Sequence, residues 1–199
     1  CKPRIFLHPT RTIKSEASDI SYFIFSVCSG QTTQSVYPMA YHGYMSIKGQ
    51  SQGLISAGCS TQDSIGNKCQ EGHKDEIMVM SYNHNMLNTG NVRASTHGPV
   101  VITKNIDKSS PLLAVALSNR EELDCVINFY RTSPSGQREK YYTVDIRGCI
   151  IANLTVEVPH AVLLTDVEAQ EHLALRYREI IWTHHLAGTS GYGSWEAGR

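Results

Sequence analysis

The stretch from Leu123 to Arg147 constrains the fold of this chain most. Leu123, Cys125, Ile127 and Phe129 alternate with Asp124, Val126, Asn128 and Tyr130, and a two-residue period puts each set on one face of a β-strand. Tyr142, Val144 and Ile146 repeat the pattern against Thr143, Asp145 and Arg147. Between them stands Ser133-Pro-Ser-Gly136, a cluster in which Pro presets φ and Gly supplies positive φ for a turn. The two strands are therefore expected to pair as a hairpin.

Similar alternation recurs elsewhere after Met39. Gly43, Met45 and Ile47 oppose Tyr44, Ser46 and Lys48; Leu173, Leu175 and Tyr177 oppose Ala174, Arg176 and Arg178. Ala152, Leu154, Val156 and Val158 form one further set, which Pro159 ends. A single helix is expected where Ser110 caps, Pro111 takes the first turn, and Leu112–Leu117 runs apolar to about Asn119. Many strands and one helix imply a mainly β protein, a barrel or a two-sheet sandwich with a short α-helix flanking it. Ser51 to Lys74, rich in Gly, Ser, Gln and Asn, is longer than a hairpin needs and is expected to be an extended functional loop. The Gly-rich run Ala187–Gly193 is expected to be a flexible turn after the last strand.

Composition removes several function classes. Lys plus Arg and Asp plus Glu both number 18, so net charge gives no reason to expect nucleic-acid or anionic-membrane binding. No apolar run approaches the roughly 20 residues that span a bilayer. The six cysteines (1, 28, 59, 69, 125 and 149) include no C-x-x-C pair, which argues against zinc and for free thiols in a reducing compartment. Cys125 and Cys149 fall within strands, where a thiol behaves as a small buried hydrophobe. His184 and His185 are adjacent on a strand and point apart, and His73 with Glu76 lacks further ligands, so no metal is expected. Motifs for a nucleophile elbow, a zinc protease or a Walker loop are missing from the sequence, so no catalytic or cofactor-binding residues are assigned. Residues 1–38 show no sustained period and no basic n-region; they are expected to be an extension upstream of the natural start at Met39, not a signal peptide.

Three stretches carry a more specific resemblance. Met45-Ser-Ile-Lys-Gly-Gln-Ser-Gln-Gly-Leu-Ile-Ser-Ala-Gly58, continued by Asp63–Asn67 and His73–Ile77, resembles the amino-terminal signature of the Hcp family. Thr103-Lys-Asn-Ile-Asp-Lys-Ser-Ser-Pro-Leu-Leu113 is similar to that family's strand-to-helix junction, and Trp182–Tyr192 with Trp195 to its carboxyl-terminal ending. The match runs in order over residues 39–196. Cys69, the methionines of 78–86 and the stretch 88–97 depart from the pattern.

The resemblance implies an Hcp-like β-barrel in hexameric rings that stack as the inner tube of the type VI secretion apparatus. Implied partners are further copies of the chain, a spike protein at the tip, the contractile sheath and baseplate, and effector proteins in the ring lumen. It also implies export through that apparatus without a signal peptide, after a cytoplasmic stage. Other readings are a phage tail-tube-like subunit, an Hcp variant with toxin activity, or a monomeric adhesin-like sandwich; the chain's end at Arg199, soon after Trp195, is expected to leave no room for a toxin domain. Within the implied assembly, Ser60, Asp63, Asn67 and Gln70 are expected to form a ring-contact loop. Alternation over Asp75–Asn85 is expected to send Met78, Met80 and Tyr82 inward and to turn Ser81 and Asn83 toward the lumen and its effectors.

Overall fold

The computed structural model describes residues 41–69, 71–88, 90, 95–164 and 166–195. Its strands are β1 (Tyr41–Gly49), β2 (Gly53–Leu54), β3 (Ile77–Leu87), β4 (Thr96–Asn105), β5 (Leu123–Thr132), β6 (Arg138–Glu157), β7 (Gln170–Arg176), β8 (Glu179–His184) and β9 (Thr189–Ser194). Two helices accompany them, the one-turn α1 (Gln62–Ile65) and α2 (Ser110–Asn119). Pairing runs β1–β3–β4–β7–β6, and β5 bridges β6 back to β1, so the sheet closes on itself. The β8–β9 hairpin extends from β6, and β2 from β1. The fold is thus a mainly β barrel with a flanking helix, in which the expected facing sheets are halves of one continuous nine-stranded sheet.

Alternation decides what fills the barrel. Met45 and Ile47 from β1, Val100 and Ile102 from β4, Cys125 and Ile127 from β5, and Leu173 and Leu175 from β7 are all fully buried in one cluster. The β5–β6 hairpin forms as its pattern dictates, with Phe129 opposite Tyr142 and Ile127 opposite Val144. Because every pairing is antiparallel, chain direction alternates around the ring. One barrel end therefore holds the β1–β3 loop, the β4–α2 junction and the β6–β7 connection. The β3–β4 and β5–β6 turns lie at the other end.

Three expectations are corrected. The segments around Tyr142 and Ala152 form one strand, β6, and a bulge between Ile151 and Asn153 shifts its phase. Ile151 is consequently buried, while Ala152, Val156 and Val158 are exposed. The Gly-rich run is largely strand β9, not a flexible turn. Its glycines let the Trp182 ring lie on the backbone, since a Cβ at Gly193 would meet that ring at 3.0 Å. The N-cap position of helix α2 is Ser109 rather than Ser110, and the Ser109 hydroxyl donates to Asp107 without capping the helix. The Ser110 hydroxyl instead accepts the Asp107 N–H at 3.0 Å and donates to Glu171 at 2.7 Å.

That hydroxyl belongs to a buried charged cluster at the first barrel end. Lys104 on β4 and Glu171 on β7 are cross-strand partners with side chains 0% and 3% exposed. The Lys104 ammonium donates to Glu171 at 2.5 Å, to Ser110 at 3.2 Å and to the Asn105 carbonyl at 2.9 Å, and sits 3.1 Å from Asp107. Asp107 also accepts the Ser109 N–H at 2.8 Å. Two strands and the start of α2 are joined through one cation, while Leu113 and Ala116 bury the helix's inner face.

The β1–β3 loop is held to the barrel at its start by Glu121. This carboxylate accepts the backbone N–H groups of Ser51 and Gln52 at 2.7 and 2.9 Å, and the Gln52 side-chain amide at 2.8 Å. Gly49 makes room for it, since a Cβ there would lie 2.4 Å from the Glu121 oxygen.

Two outcomes follow from these contacts. Glu171→Ala removes the closer of the two carboxylates around the buried Lys104 and leaves Asp107, and urea unfolding should show a loss of about 1–3 kcal/mol; Lys104→Met combined with Glu171→Leu should recover most of it. The Gln52 amide, then the Gln52 and Ser51 backbone donors, hold the Glu121 carboxyl below its ordinary range, against the opposing effect of burial. The stabilisation is therefore complete above the usual carboxylate range and is lost as pH falls through the depressed pKa. In thermal melts Glu121→Gln should be less stable than wild type at neutral pH, with the gap closing on acidification.

Candidate functional site

The β1–β3 loop is part core and part surface. Ile55, Ser56, Cys59 and Ser60 are buried, so the loop is not wholly external, as its polar composition suggests. Burial, assisted by nearby Asp107, raises the Cys59 thiol to about 11, and it stays protonated at neutral pH. Ser60 closes the loop's base, donating its N–H to the Lys74 carbonyl at 3.1 Å and its hydroxyl to the Glu76 carbonyl at 2.5 Å. Asp63 in α1 and Asn67 in the following 3-10 turn are exposed. Gln70 lies outside the described residues. The expected contact residues therefore divide into a buried strut, Ser60, and two surface side chains.

An aromatic clamp holds the return of the loop. The His73 ring stacks on Tyr44 at 3.7 Å between centroids and meets Tyr130 edge-on at 5.1 Å. The Arg138 guanidinium lies 4.9 Å from the centroids of both tyrosines. This explains why Tyr44, which points away from the barrel interior, is fully buried. Alternation alone could not identify the clamp, because its members come from four separate segments.

On β3 the expected phase is corrected. A bulge between Val79 and Ser81 resets the alternation. Val79 joins the core and Tyr82 packs against it. Met78 is buried outside the core cluster, and Met80 is 44% exposed. Neither the bulky nor the small set keeps to one face. Ser81 and Asn83 nevertheless both lie exposed on the barrel's outer surface. The Ser81 hydroxyl donates to Thr103 at 3.0 Å, and the Thr103 hydroxyl lies 3.1 Å from His172 Nδ1. Asn83 is opposite Val101, Val101 opposite Ala174, and Ala174 opposite Asn153. Across β3, β4, β7 and β6 these residues make a broad face of short, mostly uncharged side chains.

A second cluster, unforeseen from sequence, lies within the barrel wall. The Tyr177 hydroxyl is 2.7 Å from His84 Nε2 and 2.7 Å from His97 Nδ1. Trp195 meets Tyr177 edge-on at 5.1 Å, and Arg176 lies 5.2 Å from the Trp195 centroid. Desolvation lowers both histidines, and His97 lowers His84 further, which favours neutral rings. The cluster ties β8–β9 to the barrel. No group of three or more His, Cys, Asp or Glu suited to a metal occurs among the described residues. Cys125 and Cys149 are buried free thiols with sulfurs 3.4 Å apart.

Comparison with known proteins gives a consistent result. The family model described as "Type VI secretion system effector, Hcp" matches residues 44–184. The "Major exported protein" of Pseudomonas aeruginosa is 42% identical over 171 residues, covering 80% of this chain and 98% of that protein. An uncharacterized Escherichia coli protein, YhhZ, is 36% identical over 146 residues, covering 73% of this chain and 36% of its own length. Among solved structures, an Hcp protein shares 34% identity and superposes with a TM-score of 0.75, covering 80% of this chain and all of that one. The secreted protein Hcp3 from Pseudomonas aeruginosa gives 42% and 0.71, covering 79% and 100%. Since the family match takes in the barrel from Tyr44 to His184, including the charged β4–α2 junction and the clamped loop, this chain belongs to the Hcp family of type VI secretion proteins.

Proposed function

We propose that the chain is a structural, non-enzymatic subunit of a type VI secretion inner tube. Six copies close into a ring, rings stack, and effector proteins travel in the lumen. The tube is tipped by a spike protein, assembles from a baseplate within a contractile sheath, and leaves the cell with its cargo. The observation that carries this reading is the family match over the whole closed barrel. Kinship with a protein named for its export agrees with it. A ring requires a heterologous interface whose rotation closes.

Within that assembly, the outer face bearing Ser81 and Asn83 lines the lumen. Its short polar side chains leave space and offer hydrogen bonds without a fixed charge, which suits retention and release of varied cargo. The exposed part of the β1–β3 loop, with Asp63, Asn67 and Gln70, contacts a neighbouring copy, and Ser60 holds that part in place. Residues 1–38 are an extension not needed for assembly.

Light scattering and negative-stain microscopy test the ring directly. The full chain and a chain beginning at Met39 should both show rings of six-copy mass. Excising Gln62–Cys69, which spares Cys59 and Ser60, should leave a folded protomer that assembles poorly. A wild-type chain that stays monomeric at high concentration would overturn the tube reading. Replacing Asn83 with Glu should keep rings intact while lowering effector levels in the producing cell; unchanged levels would remove this face from the lumen.

A further inference from the structure

Cys125 on β5 and Cys149 on β6 sit together in the apolar core, both fully buried, with their sulfurs 3.4 Å apart. No other two thiols lie within hydrogen-bond reach among the described residues. Cys59 directs its sulfur to the Ile55 carbonyl at 3.6 Å, and Cys69 is exposed. Strand register explains the meeting. Leu123 pairs with Cys149 and Cys125 with Ile146, so the ladder shifts between them and makes the two cysteines diagonal neighbours. Adjacent strands run about 4.8 Å apart, inside the range of Cα separations that a disulfide bridges. A disulfide holds its sulfurs at about 2.05 Å, and rotation about the two Cα–Cβ bonds is the motion that closes the gap.

The two thiols are not equivalent. The Cys149 S–H donates to the Leu123 carbonyl at 3.0 Å, which leaves the Cys125 S–H to donate to the Cys149 sulfur. That bond, then burial, pushes the Cys125 thiol well above its ordinary range. Cys149 is therefore the sulfur that reacts first, with Cys125 beside it to resolve the product. It also lies just beneath the surface, since Arg147 is exposed and Gly148 half-buried within the register shift. Burial shuts out large disulfide oxidants, and a molecule close to water in size is the class that fits.

We propose that Cys125 and Cys149 are an oxidisable dithiol, which hydrogen peroxide closes into a disulfide that staples β5 to β6 in the folded barrel. The Cys149 thiolate attacks one peroxide oxygen. An S–O bond forms, the O–O bond breaks, and the departing hydroxide takes up the Cys149 proton as water. The Cys125 sulfur then attacks the sulfenic sulfur. The S–S bond forms, the S–O bond breaks, and the hydroxyl leaves with the Cys125 proton as a second water. Two thiols thus lose two electrons to one peroxide. On the export route proposed above, the chain would pass from a reducing to an oxidising compartment, and the staple would form after folding. The chemistry belongs to one protomer and holds with or without the tube reading.

The test uses the full chain with Cys1→Ser, Cys28→Ser and Cys69→Ser, so that the three remaining thiols are all buried. The native protein is treated with hydrogen peroxide, quenched with catalase, then unfolded and alkylated for mass spectrometry. Cys59 should alkylate, whereas Cys125 and Cys149 should appear in one crosslinked peptide pair that dithiothreitol releases. The oxidised protein should melt roughly 5–10 °C higher than the reduced one, because the crosslink closes a span of 24 residues. Adding Cys125→Ala or Cys149→Ala should abolish both the crosslink and the gain. Full alkylation of both cysteines after oxidation, their conversion to sulfinic acids, or a crosslink through Cys59 would overturn the proposal. So would a crosslink that forms only in urea, or a melting point that does not rise. The sulfurs are read in the protomer, so failure of ring assembly and failure of this site are distinguishable.

Discussion

The buried pair of Lys104 and Glu171 is the interaction on which the architecture turns. Both charges face into the barrel end, where desolvation costs several kcal/mol per ion unless each is matched. Matching requires β4 and β7 in register, the Asp107 turn closed, and α2 seated so that Ser110 reaches Glu171. An apolar pair could hold two strands together without fixing where the helix begins. The ammonium, with a carboxylate, a hydroxyl and a carbonyl around it, tolerates one arrangement. The neighbouring β4 and α2 and the distant β7 are thereby set by one side chain.

Much of this was legible from the residues, and the misreadings have a common physical origin. Alternation located β1, β5, β7 and both parts of β6, whose inward positions are large and apolar, but it did not place β2, β4, β8 or β9. It failed in phase on β3 and β6, where bulges insert an extra residue. A bulge depends on what the partner strand does, and a single-strand pattern carries no such information. A separate irregularity at Gly148, where β6 leaves β5, has a visible local cause: φ is +56°, and a Cβ would strike the Arg178 guanidinium at 2.3 Å. Glycine there lets β6 turn from pairing with β5 to pairing with β7. The tail was misread for a related reason, since its glycines serve ring packing by Trp182 and not chain freedom.

The candidate surfaces were less legible still. Ser60 looked like one more polar loop residue, yet it is buried because the loop folds back under an aromatic clamp. The clamp joins Tyr44, His73, Tyr130 and Arg138 from four parts of the chain, and only closure of the barrel brings them together. His84, Tyr177 and His97 meet for the same reason. Ser81 and Asn83 reach the outer surface, although the bulge broke the alternation used to place them.

Barrel closure also decides how copies of the chain can meet. An open sheet offers backbone N–H and C=O groups along its edges, a template for strand addition. Here β1, β3, β4, β5, β6 and β7 satisfy one another around the ring, and among the described residues the sheet path ends only at β2 and β9. Since β2 has two residues, it offers a neighbour little backbone to pair with. Besides the six-residue edge of β9, the surfaces open to a neighbour are side-chain surfaces: the outer polar face, the exposed turn of the β1–β3 loop and the two barrel ends. Side-chain contacts can be weaker and more selective than an extended β-ladder.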